Sequence, residues 1–439
     1  MKKTVKAIAA AAAAVTMALS CVPAVYAAKG VPAAQAEEET ASKYEFTEGK
    51  TVEVPYNGNA MFADSDGTVY YMGSVSKDRA KIFTLDENGR IRYSYNCDSY
   101  VNDEGEKIYP LMNPELKQCG DHLYLIYSEY SGEVYMSAKE NVIVKLDKEL
   151  NEIEKYRYKK SSCMDTNGEK VVYLKGYSKI YICDMDGKNN KLLYAVDNSD
   201  DTKPYEQNLN SIAIAGNYAG FQKRTGYANE SDRKEYCGII DIRTGEITLH
   251  EQRSVQQVFS SNGNLIWYGE QGYYPQNEDS NIPSDIFGEG AAAIDSYLSK
   301  RYKYYSDGEI YTFDGENYSV VKTSNAKQTS GYGSVIDNEG NLITTSYDGK
   351  GNIIYRIYRD GKLSGEHTVS YKGCFNAVAN NGMLTICYNG YTPAADDWIG
   401  WDPITTSPEE VRSMMDEQAA RAAKLKEMYP MQSVTYSYK

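Results

Sequence analysis

Histidine is scarce. The chain has three in 439 residues, His122, His250 and His367, and none stands in an HExxH or other ligand spacing. Zinc-hydrolase chemistry therefore has no residues to work with. There is also no GxSxG elbow and no GxxxxGK(S/T) loop, which leaves serine hydrolysis and phosphate-loop chemistry without support. Cysteine is present but not in a bridging pattern. Setting aside Cys21, seven remain (Cys97, Cys119, Cys163, Cys183, Cys237, Cys374, Cys387), an odd number with no CxxC. That excludes a disulfide framework or a thiolate metal cluster, though a single disulfide stays open, and most of the seven read as small buried hydrophobes. Phenylalanine is sparse, 8 against 42 tyrosines. Tyrosine suits strands whose rings pack between sheets while their hydroxyls reach water. Beyond the N-terminal segment no apolar run approaches the roughly 18 residues that a membrane helix needs.

Basic charge is in deficit, with 47 Lys and Arg against 61 Asp and Glu, a net charge of −14. The excess of acid argues against nucleic-acid or anionic-membrane partners and suits a soluble exported protein. The first residues read as an export signal: Lys2, Lys3 and Lys6, an apolar run from Ala7 to Leu19, then Val25-Tyr26-Ala27 before a cleavage point at Ala28. Ala18-Leu19-Ser20-Cys21 offers the rival reading of a lipoprotein site with Cys21 lipidated. Residues 28–43 lack apolar periodicity and read as a flexible leader. Losing residues 1–27 removes three lysines and no acid, which leaves the mature chain near −17.

What is abundant is a repeated phrase: an apolar stretch, a small or acidic residue or two, a glycine, then a strand-like run. Gly67, Gly120, Gly168, Gly216, Gly263, Gly340 and Gly382 mark it, at spacings of 53, 48, 48, 47, 77 and 42. A period near 48 is the length of a four-stranded propeller blade. Each marker glycine belongs to a tight turn that needs a positive φ or a sharp reversal. A second turn follows in six repeats, at Glu87-Asn88-Gly89, Lys148-Glu149-Leu150, Asp186-Gly187, Thr244-Gly245, Asp314-Gly315 and Asp360-Gly361. The pattern predicts an all-β, seven-bladed β-propeller over 44–406. Its seventh blade shows only one hairpin, so one chain end, Lys43–Tyr56 or Met431–Tyr438, is expected to supply what is missing. Asp64-Ser65-Asp66-Gly67 and Asp184-Met185-Asp186-Gly187 have a superficial likeness to calcium loops. Each lacks an oxygen ligand at the first loop position and the distal Glu, so turn chemistry is expected instead.

The long spacing places an insertion at 273–301, between the second and third strands of blade five. Ala291, Ile294, Leu298 and Tyr302 recur in it at helical spacing. The same connection reads as a long loop in blade two (Ser128–Glu140) and blade four (Lys223–Glu235). These connections leave one face of a propeller, and that loop-rich face is the expected binding face. A helix is expected over 407–430, capped by Ser407 with Pro408 at its first position and Glu410 completing a capping box. Its apolar stripe is Val411, Met414, Met415, Ala422, Leu425 and Met428, and it is expected to lie against the propeller, with residues 431–439 forming a terminal strand.

Aligning the repeats on their glycines places Ser162, Asn210, Gln257, Ser334 and Asn376 six residues upstream, at the start of the innermost strand. A polar ring there is a candidate ligand site. Trp267, Tyr273, Tyr274, Trp398 and Trp401 are candidate aromatic platforms beside it. No catalytic residue, metal site or cofactor is expected.

The phrase Asp337-Asn338-Glu339-Gly340-Asn341-Leu342 resembles the repeat of NHL-type propellers. Ile180-Tyr181-Ile182-Cys183-Asp184-Met185-Asp186-Gly187, followed by Leu192-Leu193, is similar to the repeat of low-density-lipoprotein-receptor-type propellers, including exported bacterial relatives of unknown function. The Tyr-Trp-Thr-Asp core of the receptor type is absent. The resemblance covers about 44–400 and implies a ligand-binding scaffold more often than an enzyme. The leading expectation is a secreted or cell-surface monomer that binds an extracellular protein or glycan. A propeller glycoside hydrolase or lyase with paired carboxylates, about 5 Å apart if retaining, and a structural role in the cell envelope stay open beside it.

Overall fold

The computed structural model describes residues 44–439 apart from 77, 132–136, 160, 162, 198–206, 227–233, 253–254, 256, 269–271, 276–301, 306–307, 324–326, 329–334, 348–351, 372–373 and 392–407. The export signal, Cys21, the leader, most of the blade-five insertion, Ser162, Ser334, Trp398 and Trp401 lie outside the described residues. The fold is a seven-bladed β-propeller of four-stranded antiparallel sheets, with one C-terminal helix.

The blades follow chain order. Blade one is Asn59–Ala63, Val69–Ser76, Arg79–Leu85 and Ile91–Asp98. Blade two is Lys107–Cys119, His122–Ser131, Ser137–Leu146 and Glu152–Lys159, with the short strand Tyr100–Val101 added beside Lys107–Cys119. Blades three, four and five begin at Cys163–Thr166, Gln207–Ala215 and Val258–Ser261. Blade six begins at Val335–Ile336. The chain divides into two compact units. One takes the described residues of Met1–Lys160, Tyr332–Arg359 and Leu363–Lys439, which hold blades one, two, seven and nearly all of six. The other takes those of Ser161–Gly331 and Asp360–Lys362, which hold blades three to five.

All seven marker glycines have φ between 53° and 91°. Two of these turns, at Gly67 and Gly340, and two of the second turns of the repeat share one device. In Asp64-Ser65-Asp66-Gly67-Thr68 the Asp64 carboxylate accepts hydrogen bonds from the N–H groups of Asp66 and Thr68, both at 2.9 Å. The Gly67 N–H returns to the Asp64 carbonyl at 2.9 Å. Asp86, Asp147 and Asp337 repeat it with the N–H groups two and four residues on. This is a type I turn closed by a left-handed residue, the three-residue hairpin connection. Gly67 has φ +83°, and a Cβ there would also meet the Met383 side chain at 1.8 Å.

Blade seven takes a strand from each chain end rather than from one. Its order is Phe46–Glu53, Gln432–Tyr438, Met383–Tyr388, Cys374–Asn380. Phe46 pairs with Tyr438 and Glu53 with Gln432. Two strands were needed because the local sequence supplies only one hairpin, and each unpaired edge leaves backbone groups unsatisfied. The Tyr438 hydroxyl also donates to Asp337 in blade six at 2.8 Å.

The described ends of the long connections expected in blades two and four are ladder. Tyr130 pairs with Ala138 and Ser131 with Ser137, while Thr225 pairs with Lys234. The alternation Tyr127, Glu129 places buried side chains on one face of the hairpin, so the strands continue to their tips. In blade five, the described ends of the insertion pair as Gly272–Pro275 with Tyr302–Tyr305.

Cores form between consecutive sheets. Tyr70, Ile82, Leu116, Leu125 and Val144 fill the space between blades one and two. Leu174, Ile180, Ile212 and Phe221 fill that between three and four. Between blades six and seven, Ile357, Ile386, Val434 and Tyr436 pack together. There His367 stacks on Phe46 at 4.7 Å and meets Tyr436 at a tilt at 4.4 Å, with its Nε2 buried and without a hydrogen-bond partner. Burial holds the imidazole below its ordinary value, against a smaller upward pull from Glu48. A depressed folded-state value means that the folded state resists protonation, so this stability is present above about pH 6.5 and is lost as pH falls through the folded value. The slope of unfolding free energy against pH below 6.5 is therefore expected to flatten in His367→Phe, measured by urea denaturation. In a second test, Asp337→Ala removes two backbone bonds, the Asn341 amide bond and the Tyr438 bond. It is expected to cost about 3 kcal/mol or more in the same assay.

Candidate binding face of blades one and two

Of the sequence-derived ring, Asn376, Asn210 and Gln257 are among the described residues. Asn376 belongs to one unit, Asn210 and Gln257 to the other. The Asn376 amide donates to the Ala60 carbonyl at 2.6 Å, clipping blade seven to blade one. Asn210 is half-buried on the first strand of blade four, and Gln257 is exposed just before blade five, its carbonyl accepting from Tyr268. Trp267, expected as a platform, is fully buried, and its Nε1 donates to the Phe221 carbonyl at 3.1 Å. Gly220 lets it approach the neighbouring sheet, since a Cβ there would meet the indole at 2.9 Å. Tyr273 and Tyr274 lie in the two-stranded ladder of the insertion.

A different group of residues converges at one end of blade one. The register Asn59↔Met72 puts the approach to the first strand beside the end of the second. Arg79↔Asp98 puts the start of the third strand beside the end of the fourth. At that end lies a shallow cavity of about 360 Å³, lined by Val75, Ser76, Asp78, Arg79, Asp98 and Ser99. A register break between Ser74 and Ser76 turns Val75 out of the ladder. Asp78 N–H donates to Ser76 Oγ at 3.2 Å and Ser99 N–H to the Asp78 carbonyl at 2.8 Å, which closes the rim.

Two ion pairs line this end. Arg79 grips Asp98 through Nε at 2.5 Å and Nη2 at 3.1 Å. Lys107 Nζ lies 2.6 Å from Asp78. The hydrogen bond and charge of Asp98 hold the Arg79 guanidinium above its ordinary value, and the bond from Asp78 does the same for Lys107. All four side chains are nearly half exposed, so water screens them and they add little to stability. They remain available to a partner.

Apolar groups surround the charges. Val75 is 38%, Tyr100 37%, Val101 66% and Tyr56 39% exposed. Tyr100 is held from behind. Its hydroxyl donates to the buried Glu129 at 2.7 Å, and Arg157 Nη1 reaches both Glu129 at 2.5 Å and the Tyr100 oxygen at 3.0 Å. Desolvation pushes the Arg157 guanidinium down, but the Glu129 bond and charge outweigh it and hold it above its ordinary value. A ring fixed in this way loses little freedom on binding.

Tyr56 is held more tightly still. Tyr56 and Asn57 have φ of 57° and 48°. The remaining described non-glycine residues with positive φ lie in turns of the blade hairpins. Each left-handed residue costs about 1–2 kcal/mol, and such strain collects at functional positions. The turn is clamped by Met431, whose N–H donates to Asn57 Oδ1 at 3.0 Å and whose carbonyl accepts from Val54 at 2.8 Å. Lys81 Nζ sits 5.4 Å from the Tyr56 ring centre, and Phe83 meets its edge at 6.1 Å. Gly73 permits this approach, because a Cβ there would lie 2.9 Å from that of Tyr56.

Titratable groups elsewhere are committed to structure. His250 stacks on Tyr318 at 3.8 Å and is held low by burial. The buried Asp165 accepts from Ile214 N–H at 2.8 Å and Ser260 Oγ at 3.2 Å. Glu235 accepts from Val255 N–H. Cys97, Cys119, Cys163, Cys183, Cys237 and Cys387 form no disulfide among the described residues, and burial pushes Cys97 up to about 12 and Cys183 up to about 11. No cluster of three or more His, Cys, Asp or Glu able to hold a metal occurs among the described residues. What this end of blades one and two can do chemically is recognise a surface that carries both charge and apolar groups.

No known protein family matches the chain, and no curated protein matches it. Similar solved structures are β-propellers. The β-propeller domain of the Trilobed protease from Pyrococcus furiosus has a TM-score of 0.37 at 12% identity, over 64% of this chain and 77% of that one. The Pan2 WD40 domain of Neurospora crassa has 0.40 at 11%, over 80% and 94%. BamB from Moraxella catarrhalis has 0.34 at 10%, over 78% and 96%.

Sequence reasoning missed Tyr56, Val75, Asp78, Arg79, Asp98, Tyr100 and Val101. One signal was present: Lys77-Asp78-Arg79 puts charge where most other hairpins carry Asp-Gly or Asn-Gly. Tyr56→Gly relieves backbone strain while deleting the ring contacts. Its stability is expected to stay within about 1 kcal/mol of wild type by denaturant midpoint.

Proposed function

We propose that this chain is an exported, non-catalytic β-propeller that binds an extracellular protein or glycan through the loop-bearing end of blades one and two. The observation that carries the reading is the combination at that end. Exposed Tyr56, Val75, Tyr100 and Val101 flank a cavity whose charges are paired yet solvent-accessible. Aromatic and aliphatic anchors beside a polar rim are the composition of recognition surfaces. The N-terminal signal pattern and the acidic balance support export to the cell surface or beyond. The short NHL-like and receptor-like phrases support a scaffold of the ligand-binding kind.

A screen of the protein starting at Ala28 against extracellular-protein and glycan arrays tests this. Hits are expected to weaken about tenfold or more in Val101→Asp and in the double variant Arg79→Ala, Asp98→Ala. They are expected to persist when 276–301 is deleted. Binding that ignores the first two variants but disappears with the deletion would move the site to the blade-five insertion.

A further inference from the structure

The helix α1, Pro408–Met428, lies between the second and third strands of blade seven. At 21 residues it is about 31 Å long. No described side chain on it is buried. Glu410, Asp416, Glu417, Arg421, Lys424 and Lys426 are exposed, Met428 is 57% exposed, and Met414 and Leu425 are half-buried. The other members of its apolar stripe, Val411, Met415 and Ala422, lie outside the described side chains.

Along the sequence of α1 acids lead and bases follow, with one exception in each half. The first half carries Glu409, Glu410, Asp416 and Glu417, with Arg412 the one base there. The second half carries Arg421, Lys424 and Lys426, with Glu427 the one acid there. Helical spacing puts Met414, Arg421, Leu425 and Met428 along one stripe, with Glu410, Glu417 and Lys424 along one flank of it. The helix is thus complementary to itself when reversed. A twofold axis between residues 419 and 420 sets Met414 of one copy level with Leu425 of the other. The same axis brings the Glu417 flank of each copy within a turn of Lys424 in its mate. In an antiparallel pair, equal flanks face each other, so both charge contacts form at once, as an isologous interface requires.

We propose that α1 is a self-association surface: two copies of this chain pair through antiparallel α1 helices. A single helix pair is a small interface, so the dimer forms reversibly and its population rises with concentration. The monomer expected from sequence is then the dilute state. The helix ends at the clamp that Met431 makes on Val54 and Asn57, so its C-terminus lies beside the Tyr56 turn.

Sedimentation velocity on the protein from Ala28, over about two decades of concentration, reads the outcome. The wild type is expected to shift from monomer to dimer, and less so as salt rises. The variant Glu410→Lys, Glu417→Lys and the variant Arg421→Glu, Lys424→Glu each place like charges opposite. Each is expected to dimerise about tenfold or more weakly alone. Mixed, they are complementary again and are expected to associate with each other. All four positions are exposed, and far-UV circular dichroism checks that the fold is kept. A wild type that stays monomeric throughout, charge variants that dimerise as well as wild type, or a mixture no tighter than its components each overturns the proposal.

Discussion

A carboxylate that accepts two backbone N–H groups sets four of the reversals of this chain. Asp64, Asp86, Asp147 and Asp337 each hold the N–H groups two and four residues ahead, and a left-handed residue closes the turn. A hairpin pinned in this way has one register. Register decides which side chains face the next sheet, because a slip of one residue exchanges the two faces of a strand. The buried layers of Tyr70, Leu125 and Val144, or of Ile357, Ile386 and Val434, depend on that choice. So does the opposite end of each blade, where the strands finish and side chains are free to serve a partner.

The turns were readable because their chemistry is local. Five consecutive residues contain the acid, the glycine and both donors, and the pattern recurs at a regular interval. Even Leu150, which replaces glycine, keeps the left-handed φ of 66° because Asp147 and Asn151 hold the loop around it. The cavity end of blades one and two was not readable, because its contacts join residues far apart. Lys107 reaches Asp78, Arg157 reaches Glu129, and Met431 reaches Asn57 across 374 positions. Composition also misled in two places. Trp267 has the chemistry of a platform, but its position in the second strand of blade five directs it into the sheet packing. The run from Ser128 to Glu140 has the polarity of a loop, yet Glu129 is buried by pairing with Arg157, so the ladder continues.

The two surfaces use different physics. Around the cavity, rigidity is built in beforehand, by strain at Tyr56 and by the Glu129–Arg157–Tyr100 network behind the rim. On α1 the helix supplies its own backbone hydrogen bonds, and charge order along its axis sets the direction of a mate. Met431 links them, since it follows the helix and clamps the strained turn.

Blade seven gives the polypeptide a built-in completeness check. Phe46 lies beside Tyr438, so the strand Phe46–Glu53 finds its place only once Gln432–Tyr438 is present. Contacts this remote in sequence form late and slowly. A product shortened by its last seven residues would lack the strand between Phe46–Glu53 and Met383–Tyr388 and would expose two raw sheet edges at once. Such exposed edges are the kind that pair with other chains.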